Sequence, residues 1–551
     1  MKKDIISSKA QYLLGDLIEM RIPMVKVPTD LIEINTYQLY MKIDMSYTYE
    51  FKEIAKGKVE LIIKIYPLGT GNYGLEVIIG SQLYETAFDV VSKQSDCIRY
   101  GFLSDFTSED NDSSDIEYLT RLHLNAVQFY DWMYTHDHLI SKDTLYTDPL
   151  GRPTNLDVIK MKIKKCMESG IRPFAYGAVY ASSKALFNSH PNWGLYTVDK
   201  EPLTFFDWLN FMNIQKDNGW SDYIINQFSL TMKELEFQGI HMDTYGFPKT
   251  VCDSFGNTFS LSEVFPDLIN RASIESKKIN PANGVIFNCV NNWPVEKVAS
   301  SLQDTIYIEV WPPHDTYFDL YRLIREAKMM SHNFVVLAAY IHPFKDALSG
   351  DEVLHAENAL LLTNAVINAS GGTQLVFGEN YGILCDSYYA KYASVSDSFK
   401  EKIRDYADYL VRYADLLYKD EGTDVSMTST DGINEDILFN SSKASFSSVG
   451  KEFCVWTIIR ESHILISVQL INLVSNNSLW NQPKESSQSI DDIEMVVKIN
   501  RVVKGIFCAS PDHMMKAKML DFRFEKTSRG REYFVKIPKL INWNTVWIEM
   551  E

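Results

Sequence analysis

GIHMDTYG (Gly239–Gly246) is a short, largely apolar stretch that follows an amphipathic helical segment and carries a carboxylate. This pattern predicts one strand of a parallel barrel with Asp243 at its C-terminal end. Parallel-barrel enzymes carry their chemistry at those strand ends. A second stretch, TIYIEVW (Thr305–Trp311), brings Glu309 to the end of a later strand. Two carboxylates at nearby strand ends are typical of enzymes that act on glycosidic bonds.

From residue 100 the sequence alternates short apolar segments with helical ones. Eight segments are predicted strands: Tyr100–Phe106, Asn125–Trp132, Arg172–Tyr180, Gly239–Tyr245, Gly284–Cys289, Thr305–Trp311, Asn333–His342 and Thr373–Phe377. Helices are predicted between them: Asp115–His123, Leu156–Glu168, Ser221–Phe237, Leu261–Lys277, Thr316–Met330 and Ala356–Ala369. The helical pattern is weakest from Pro294 onward. These repeats predict a (β/α)8 TIM barrel.

The chain has 551 residues, too many for one core, and both flanks of the barrel alternate apolar and polar positions. We therefore predict three domains. Residues 1–98 form an N-terminal immunoglobulin-like β-sandwich, residues 99–398 the catalytic barrel, and residues 399–551 a linking helix (Phe399–Tyr418) with a C-terminal antiparallel β-sandwich. The Ser/Asn/Gln-rich piece Ser475–Ser489 is predicted to be an exposed loop.

Composition excludes several classes of partner. A formal net charge of −18 without a basic stripe argues against nucleic acid, and no apolar run is long enough to span a membrane. The seven cysteines follow no metal-binding spacing and are expected to be buried thiols, which favours a reducing compartment. The N-terminus has no signal-peptide pattern, so a cytoplasmic location is expected for the chain as it stands, or secretion if a signal was removed. The oligomeric state cannot be predicted.

Five motifs, in this order, support a family resemblance: YGFLSDF (Tyr100–Phe106), QFYDWMY (Gln128–Tyr134), YGAVY (Tyr176–Tyr180), HMDTYG (His241–Gly246) and YIEVW (Tyr307–Trp311). They resemble those of glycoside hydrolase family 66, which contains endo-dextranases and cycloisomaltooligosaccharide glucanotransferases. The resemblance covers nearly the whole chain. It implies retaining cleavage of α-1,6-linked glucan, with Asp243 matching the family's nucleophile and Glu309 its general acid/base. No cofactor and no metal are expected.

Further residues are predicted to bind the sugar because they lie near strand ends in an aromatic setting. Asp131 is expected to hold glucose hydroxyls next to the bond that is cut, although a purely structural role is the alternative. The other candidates are Tyr130, Trp132, Tyr180, His241, Trp311, His342 and Asn380, with His136 as a weaker one. A lone histidine is more often a core residue than a ligand.

Two alternatives stay open. The glucanotransferases of the resembled family carry an additional carbohydrate-binding module inserted in the barrel, and this chain has no insertion of that size, which favours hydrolysis over cyclisation. A non-catalytic α-glucan-binding protein is the rival from another class, since a fold does not prove an activity. If the chain is complete, imported isomaltooligosaccharides are the expected substrates.

Overall fold

A computed structural model describes residues 5–55, 57–348, 350–386, 391–419, 422–427 and 435–551. Its centre is one sheet of eight parallel strands, which pair in sequence order. We number them β1 to β8: Tyr100–Leu103, Ala126–Phe129, Arg172–Ala178, Gly239–Asp243, Gly284–Val290, Thr305–Glu309, Phe334–Ala338 and Thr373–Gln374. The Phe102 N–H donates to the Phe377 carbonyl across 3.1 Å and links the two edges of the sheet. The eight predicted strands and the predicted barrel are confirmed.

Most of these strands end earlier than the sequence predicts. β1 stops at Leu103 rather than Phe106, and β6 at Glu309 rather than Trp311. The apolar residues that follow are buried by packing at the barrel mouth, so hydrophobicity alone extends the pattern. At the other end of the barrel, Gly239 is required by close approach, because a Cβ there would lie 2.4 Å from the Phe174 ring.

Helices surround the barrel at the predicted places. Their bounds are Ser114–Arg121, Leu156–Glu168, Gly219–Leu235, Phe265–Ile279, Val295–Val298, Tyr317–Met330 and Asp351–Ala369. Asn155, Asn218 and Thr316 cap three of them by accepting a backbone N–H. The weak stretch from Pro294 forms only the four-residue helix Val295–Val298. No helix among the described residues is long and apolar enough to cross a membrane.

Two sheets pack together at each end of the chain, around separate apolar cores. The N-terminal sheets contain Ile6–Ser7, Ile18–Met24, Lys58–Tyr66 and Ser46–Ala55, and Tyr12–Leu13, Gln82–Val91, Gly71–Ile79, Ile32–Gln38 and Met41–Ile43. The C-terminal sheets contain Thr423–Asp424, Phe446–Ser447, Val455–Glu461, Leu465–Asn472, Trp543–Met550, Val503–Ser510 and Met514–Met519, and Ile437–Asn440, Glu494–Lys498, Gly530–Lys536 and Phe522–Thr527. The immunoglobulin-like topology and the domain boundaries stay predictions.

The linking helix differs from its prediction in one respect. It runs from Asp397 to Arg412, breaks at Tyr413 where φ is −109° and ψ is 18°, and resumes as Ala414–Leu417. Its Asp408 accepts hydrogen bonds from Thr86 Oγ1 at 2.9 Å and from His123 Nε2 at 2.7 Å. The helix therefore joins the N-terminal sheets to the barrel.

The prediction of an exposed loop at Ser475–Ser489 is wrong for its first half. Trp480 is 2% exposed, and its indole N–H donates to the His314 carbonyl at 2.7 Å. The Asn481 side-chain amide donates to His342 Nδ1 at 2.7 Å. Polar composition suggested solvent exposure, but one tryptophan anchors this segment on the barrel.

Candidate active site

The C-terminal ends of the barrel strands surround a cavity of about 640 Å³. Each strand, or the loop that follows it, supplies lining residues, among them Phe102, Gln128, Tyr176, Asp243, Asn288, Glu309, Tyr340 and Leu384. A parallel barrel brings distant segments of the chain together at this face. The cavity is therefore the candidate active site.

Asp243 and Glu309 lie side by side at the ends of β4 and β6. Asn288, on the intervening β5, donates from its one amide nitrogen to Asp243 Oδ1 at 2.7 Å and to Glu309 Oε2 at 3.2 Å. A shared donor holds the two acceptor oxygens within about 6 Å of each other, near the spacing of about 5 to 5.5 Å that retaining glycosidases use. The two predicted catalytic residues are thus brought together.

Each carboxylate has a second donor. The Tyr176 hydroxyl donates to Asp243 Oδ2 at 2.7 Å, and the Tyr340 hydroxyl donates to Glu309 Oε1 at 3.2 Å. Burial raises the pKa of Asp243, and the charge of Glu309 raises it further. Burial also raises the pKa of Glu309. Hydrogen bonds oppose both shifts: at Asp243 they come from Asn288, Tyr176 and the Thr244 backbone, and at Glu309 from Asn288, Trp311 and Tyr340.

His241 forms part of the cavity floor. It is 1% exposed and stacks between Tyr100 and Tyr176, and its Nδ1 lies 3.1 Å from the Tyr100 hydroxyl. Burial lowers the pKa of His241 to about 3, so the imidazole is neutral. A neutral ring beneath two carboxyl groups adds no charge to the site.

Asp131 and Tyr130 line the cavity on the β2 side. Asp131 adopts a left-handed backbone conformation with φ of 46°, and its side chain is buried. Burial raises the pKa of Asp131 to about 7, while Arg152 opposes the shift. Four buried polar atoms of cavity-lining residues have no hydrogen-bond partner in the described part of the chain: Gln128 Oε1, Asp131 Oδ1, His136 Nδ1 and Asn288 Oδ1. Such atoms suit a ligand rich in hydroxyl groups.

Among the other predicted sugar-binding residues, His136, His241 and Trp311 also line the cavity. Trp132 does not, because it is fully buried and its indole N–H donates to the Tyr176 carbonyl. Tyr180 is also fully buried, and its hydroxyl accepts the Tyr245 N–H at 2.6 Å. These two aromatic residues support the cavity wall from behind.

His342 and Asn380 lie outside the cavity lining as well. The Asn481 side-chain amide forms a hydrogen bond with His342 Nδ1. Asn380 is exposed, and its backbone N–H donates to Asp115 at 3.2 Å. Both residues follow a barrel strand but do not reach the cavity, although Tyr340 and Leu384 of the same loops do.

Several residues of the candidate active site were not predicted from the sequence. Asn288 interrupts the apolar run of β5 near its C-terminal end and could have been found as a third polar residue at a strand end. Tyr176 and Tyr340 look like core aromatics in the sequence, and Phe206 and Trp208 come from a long excursion without strand or helix periodicity. Within the described residues, no group of three or more histidine, cysteine, aspartate or glutamate side chains is arranged to hold a metal. The seven cysteines are buried thiols, as predicted.

The family model of glycosyl hydrolase family 66 matches residues 7–547. The chain belongs to this family. A cycloisomaltooligosaccharide glucanotransferase of Niallia circulans is 22% identical over 614 residues, which cover 84% of this chain and 62% of the relative. A dextranase of Streptococcus salivarius is 23% identical over 407 residues, covering 63% of this chain and 48% of the relative. This family 66 protein thus spans less than two thirds of the length of these relatives.

A solved structure has the same fold as this family 66 protein. It is a cycloisomaltooligosaccharide glucanotransferase of Paenibacillus sp. complexed with cycloisomaltoheptaose. The TM-score is 0.89 at 19% identity, and the match covers 99% of both chains. At that identity the likeness establishes the shared fold alone.

Proposed function

We propose that this protein is an endo-acting, retaining glycoside hydrolase that cleaves α-1,6-glucosidic linkages of dextran or isomaltooligosaccharides. Asp243 is the nucleophile and Glu309 the general acid/base. The observation that carries the proposal is the Asn288 amide shared by both carboxylates, which fits the short spacing of a double displacement better than the wider spacing of an inverting enzyme.

The hydrogen bonds support this division of roles. The bonds to Asp243 from Asn288 and Tyr176 are both 2.7 Å long, whereas those to Glu309 from Asn288 and Tyr340 are both 3.2 Å. The Trp311 side chain adds a further hydrogen bond at Glu309. Shorter donors favour the anion at Asp243. We therefore place the proton shared by the two close carboxyl groups on Glu309, against the direction in which the charge of Glu309 raises the pKa of Asp243. This is the ionisation state that the first step of a double displacement needs.

In the first step an Asp243 oxygen attacks the anomeric carbon while the bond to the glycosidic oxygen breaks. Glu309 gives its proton to that leaving oxygen, so the released sugar carries a hydroxyl group and a glycosyl–Asp243 ester remains. In the second step Glu309 takes a proton from water, and the water oxygen attacks the same carbon and releases Asp243. The anomeric configuration is retained.

Cyclisation is the second candidate function, because two relatives and the solved structure with the same fold are named as glucanotransferases. In that reaction a hydroxyl of the same glucan replaces water in the second step. The match to the first relative extends over 614 residues, more than the 551 of this chain, so that relative carries segments absent here. The missing inserted module expected from the sequence would account for the difference, and that expectation is the reason hydrolysis is proposed first. A purely glucan-binding role is disfavoured because both carboxylates are present and paired.

Chromatography of the products from dextran and from linear isomaltoheptaose tests the proposal. Short linear products are expected, with the α configuration at the new reducing end in NMR spectra taken before mutarotation, and the Asp243→Asn variant should yield none while still binding isomaltoheptaose. Cyclic products would move the protein to the glucanotransferases. No product from either substrate would leave only the binding role or another linkage.

A further inference from the structure

The excursion between β3 and the helix Gly219–Leu235 carries a small three-stranded sheet. Its strands are Ala181–Ser183, Thr204–Phe205 and Leu209–Phe211. The last two pair antiparallel and form a hairpin with Phe206, Asp207 and Trp208 at its tip. Phe206 and Trp208 both line the candidate active site. We call these three residues the hairpin tip.

The backbone of the hairpin tip is strained. Phe206 has a φ of 49° and Asp207 a φ of 57°, two consecutive left-handed residues that are not glycine. Such residues persist only when the surrounding structure enforces them. Two consecutive left-handed residues are also what a tight hairpin turn requires, and the Trp208 N–H donates to the Phe205 carbonyl across this one at 3.4 Å. The case for a ligand site therefore rests on the two side chains.

The aromatic rings of the hairpin tip point away from the core although its base is anchored. Phe206 is 70% exposed and Trp208 41% exposed. By contrast, Phe205 stacks on Tyr245 with ring centroids 4.3 Å apart and planes 7° from parallel. Trp208 lies 5.6 Å from the His136 ring, next to the β2 wall. The protein thus fixes the base and leaves two apolar ring surfaces open at the cavity rim.

The position of the hairpin tip assigns it to one side of the substrate. Glu309 and Trp311 belong to the β6 side of the cavity, where the leaving part of the glucan receives its proton. The hairpin follows β3, and its Trp208 ring lies beside His136 of the β2 loop, whereas Glu309 ends β6, two strands beyond the β4 strand that carries Asp243. A sugar that contacts the hairpin tip therefore belongs to the part of the chain that stays on the enzyme.

We propose that Phe206 and Trp208 form a platform for a glucosyl unit on the non-reducing side of the substrate, beyond the unit bound at Asp243. The inference rests on the proposed function. Flat aromatic rings pack against the C–H faces of a pyranose. An α-1,6-linked chain is flexible because each linkage contains an extra rotatable bond, so a distant anchor restrains it before cleavage. Because only longer substrates reach the hairpin tip, kcat/KM should rise with the length of the glucan.

Two variants remove the platform without disturbing its support. Phe206→Asn removes the ring with a residue that accepts the left-handed conformation, and Trp208→Ala removes the second ring. Phe255→Ala is the matched control, because Phe255 is 82% exposed in another loop and does not line the cavity. The kcat/KM of wild type and variants is measured on linear isomaltooligosaccharides of two to seven units, together with the midpoint of thermal unfolding.

The wild type is expected to gain kcat/KM as the chain lengthens. The double variant should lose about 10-fold or more in kcat/KM on the long substrates and change little on the shortest one that is cleaved, since only the long substrates reach the two rings. Equal losses at every length, or none, would overturn the platform. Inactivity of the wild type would instead overturn the proposed function.

A binding measurement separates the platform from turnover. Calorimetric titration of isomaltoheptaose into the Asp243→Asn protein should give a Kd that rises about 10-fold when the two platform substitutions are added. An unchanged Kd would mean that these exposed rings serve some other contact, such as one with a second protein, and would reject the platform.

Discussion

Buried charges are paired in salt bridges at the N-terminal end of the barrel, whereas the buried carboxylates of the cavity at the C-terminal end are not. At the N-terminal end, Arg99 donates to both Asp89 oxygens at 3.0 Å, and Arg172 lies 2.7 Å from Asp304. At the C-terminal end no salt bridge among the described residues joins Asp243, Glu309 or Asp131 to a cation. Opposite charges compensate each other at the first end, whereas like charges are forced together in the cavity at the second, where the buried Lys162–Asp115 pair lies outside the cavity lining. The comparison separates the end that stabilises the fold from the end that is built for chemistry.

Asp243→Asn should have the largest effect. We expect kcat to fall by about 10⁴-fold or more because the nucleophile is lost. The midpoint of thermal unfolding should stay the same or rise, because a buried negative charge facing Glu309 disappears. Initial rates on isomaltooligosaccharides and calorimetry measure the two quantities. Asp199→Asn, at an exposed position, is the control and should change neither.

A clear loss of stability in Asp243→Asn would contradict the comparison, since it would make this end of the barrel structural. Retained turnover would contradict the assignment of the nucleophile.

Asp89→Ala should produce the reverse pattern. It leaves the Arg99 guanidinium, 4% exposed, without its carboxylate partner. Removing one member of a buried ion pair lowers the free energy of unfolding by about 3 to 5 kcal/mol. Denaturant unfolding measures this loss, and kcat of the folded protein should stay within about twofold, because the site is at the other end of the barrel.

Glu275→Ala breaks the exposed ion pair with Lys278 and should leave stability nearly unchanged. If Asp89→Ala behaved like this control, the paired charges at the N-terminal end would not be the stabilising feature.

Asn288→Ala tests the donor shared by the two carboxylates. We expect kcat/KM to fall by about 10²-fold, the usual effect of losing one oriented donor in an active site. The Asn288 hydrogen bonds lower the pKa of both Asp243 and Glu309, so their loss raises both. Because the nucleophile must be ionised and the acid protonated, both limbs of the pH dependence of kcat/KM should move to higher pH.

Asn283 provides the matched control, because it is a buried asparagine that immediately precedes the N-terminal end of the same strand, β5. Asn283→Ala should lower stability without moving either limb. A profile that does not move in Asn288→Ala would show that the shared amide does not tune the pair.

Much of this fold could be predicted from the sequence, because parallel barrel strands are short apolar runs between amphipathic helices. The two catalytic carboxylates could also be predicted, since polar residues at strand ends converge in a barrel. What could not be predicted depends on tertiary contacts. Trp132 and Trp311 both follow apolar runs in the sequence, yet only Trp311 reaches the cavity. Both tryptophans end a predicted strand, and the packing of neighbouring loops determines which of them reaches the cavity.

The hairpin tip and the Trp480 segment were missed for a related reason. Both lie in stretches whose composition resembles that of loops, and both acquire their place from a few contacts to distant residues: Phe205 on Tyr245, and Trp480 on His314. Periodicity carries no information about such contacts, since they follow from neither the 3.6-residue nor the two-residue repeat.

The smallest predicted effect concerns two buried carboxylates, Asp131 at the C-terminal end and Asp408 near the N-terminal end. Their pKa values are shifted in opposite directions, so their contributions to stability change with pH in opposite directions. Burial raises the pKa of Asp131 to about 7. At Asp408 burial also acts to raise the pKa, but the charge of Arg121 and the hydrogen bond from His123 outweigh it and lower the pKa. Asp131 therefore favours folding only while protonated, and this contribution is lost as pH rises from about 4 to about 7. Asp408 favours folding while ionised, and this contribution is lost as pH falls below about 4.

Asp131→Asn and Asp408→Asn should consequently diverge as pH rises. Relative to wild type, we expect the first to be more stable at pH 7.5 and the second less stable, each by about 1 to 2 kcal/mol, with both differences shrinking toward pH 4 or below. Unfolding midpoints measured across this range in one buffer series provide the test. Because both variants replace a buried carboxylate by its isosteric amide, differences of the same sign would mean that charge compensation does not distinguish the two ends of the barrel.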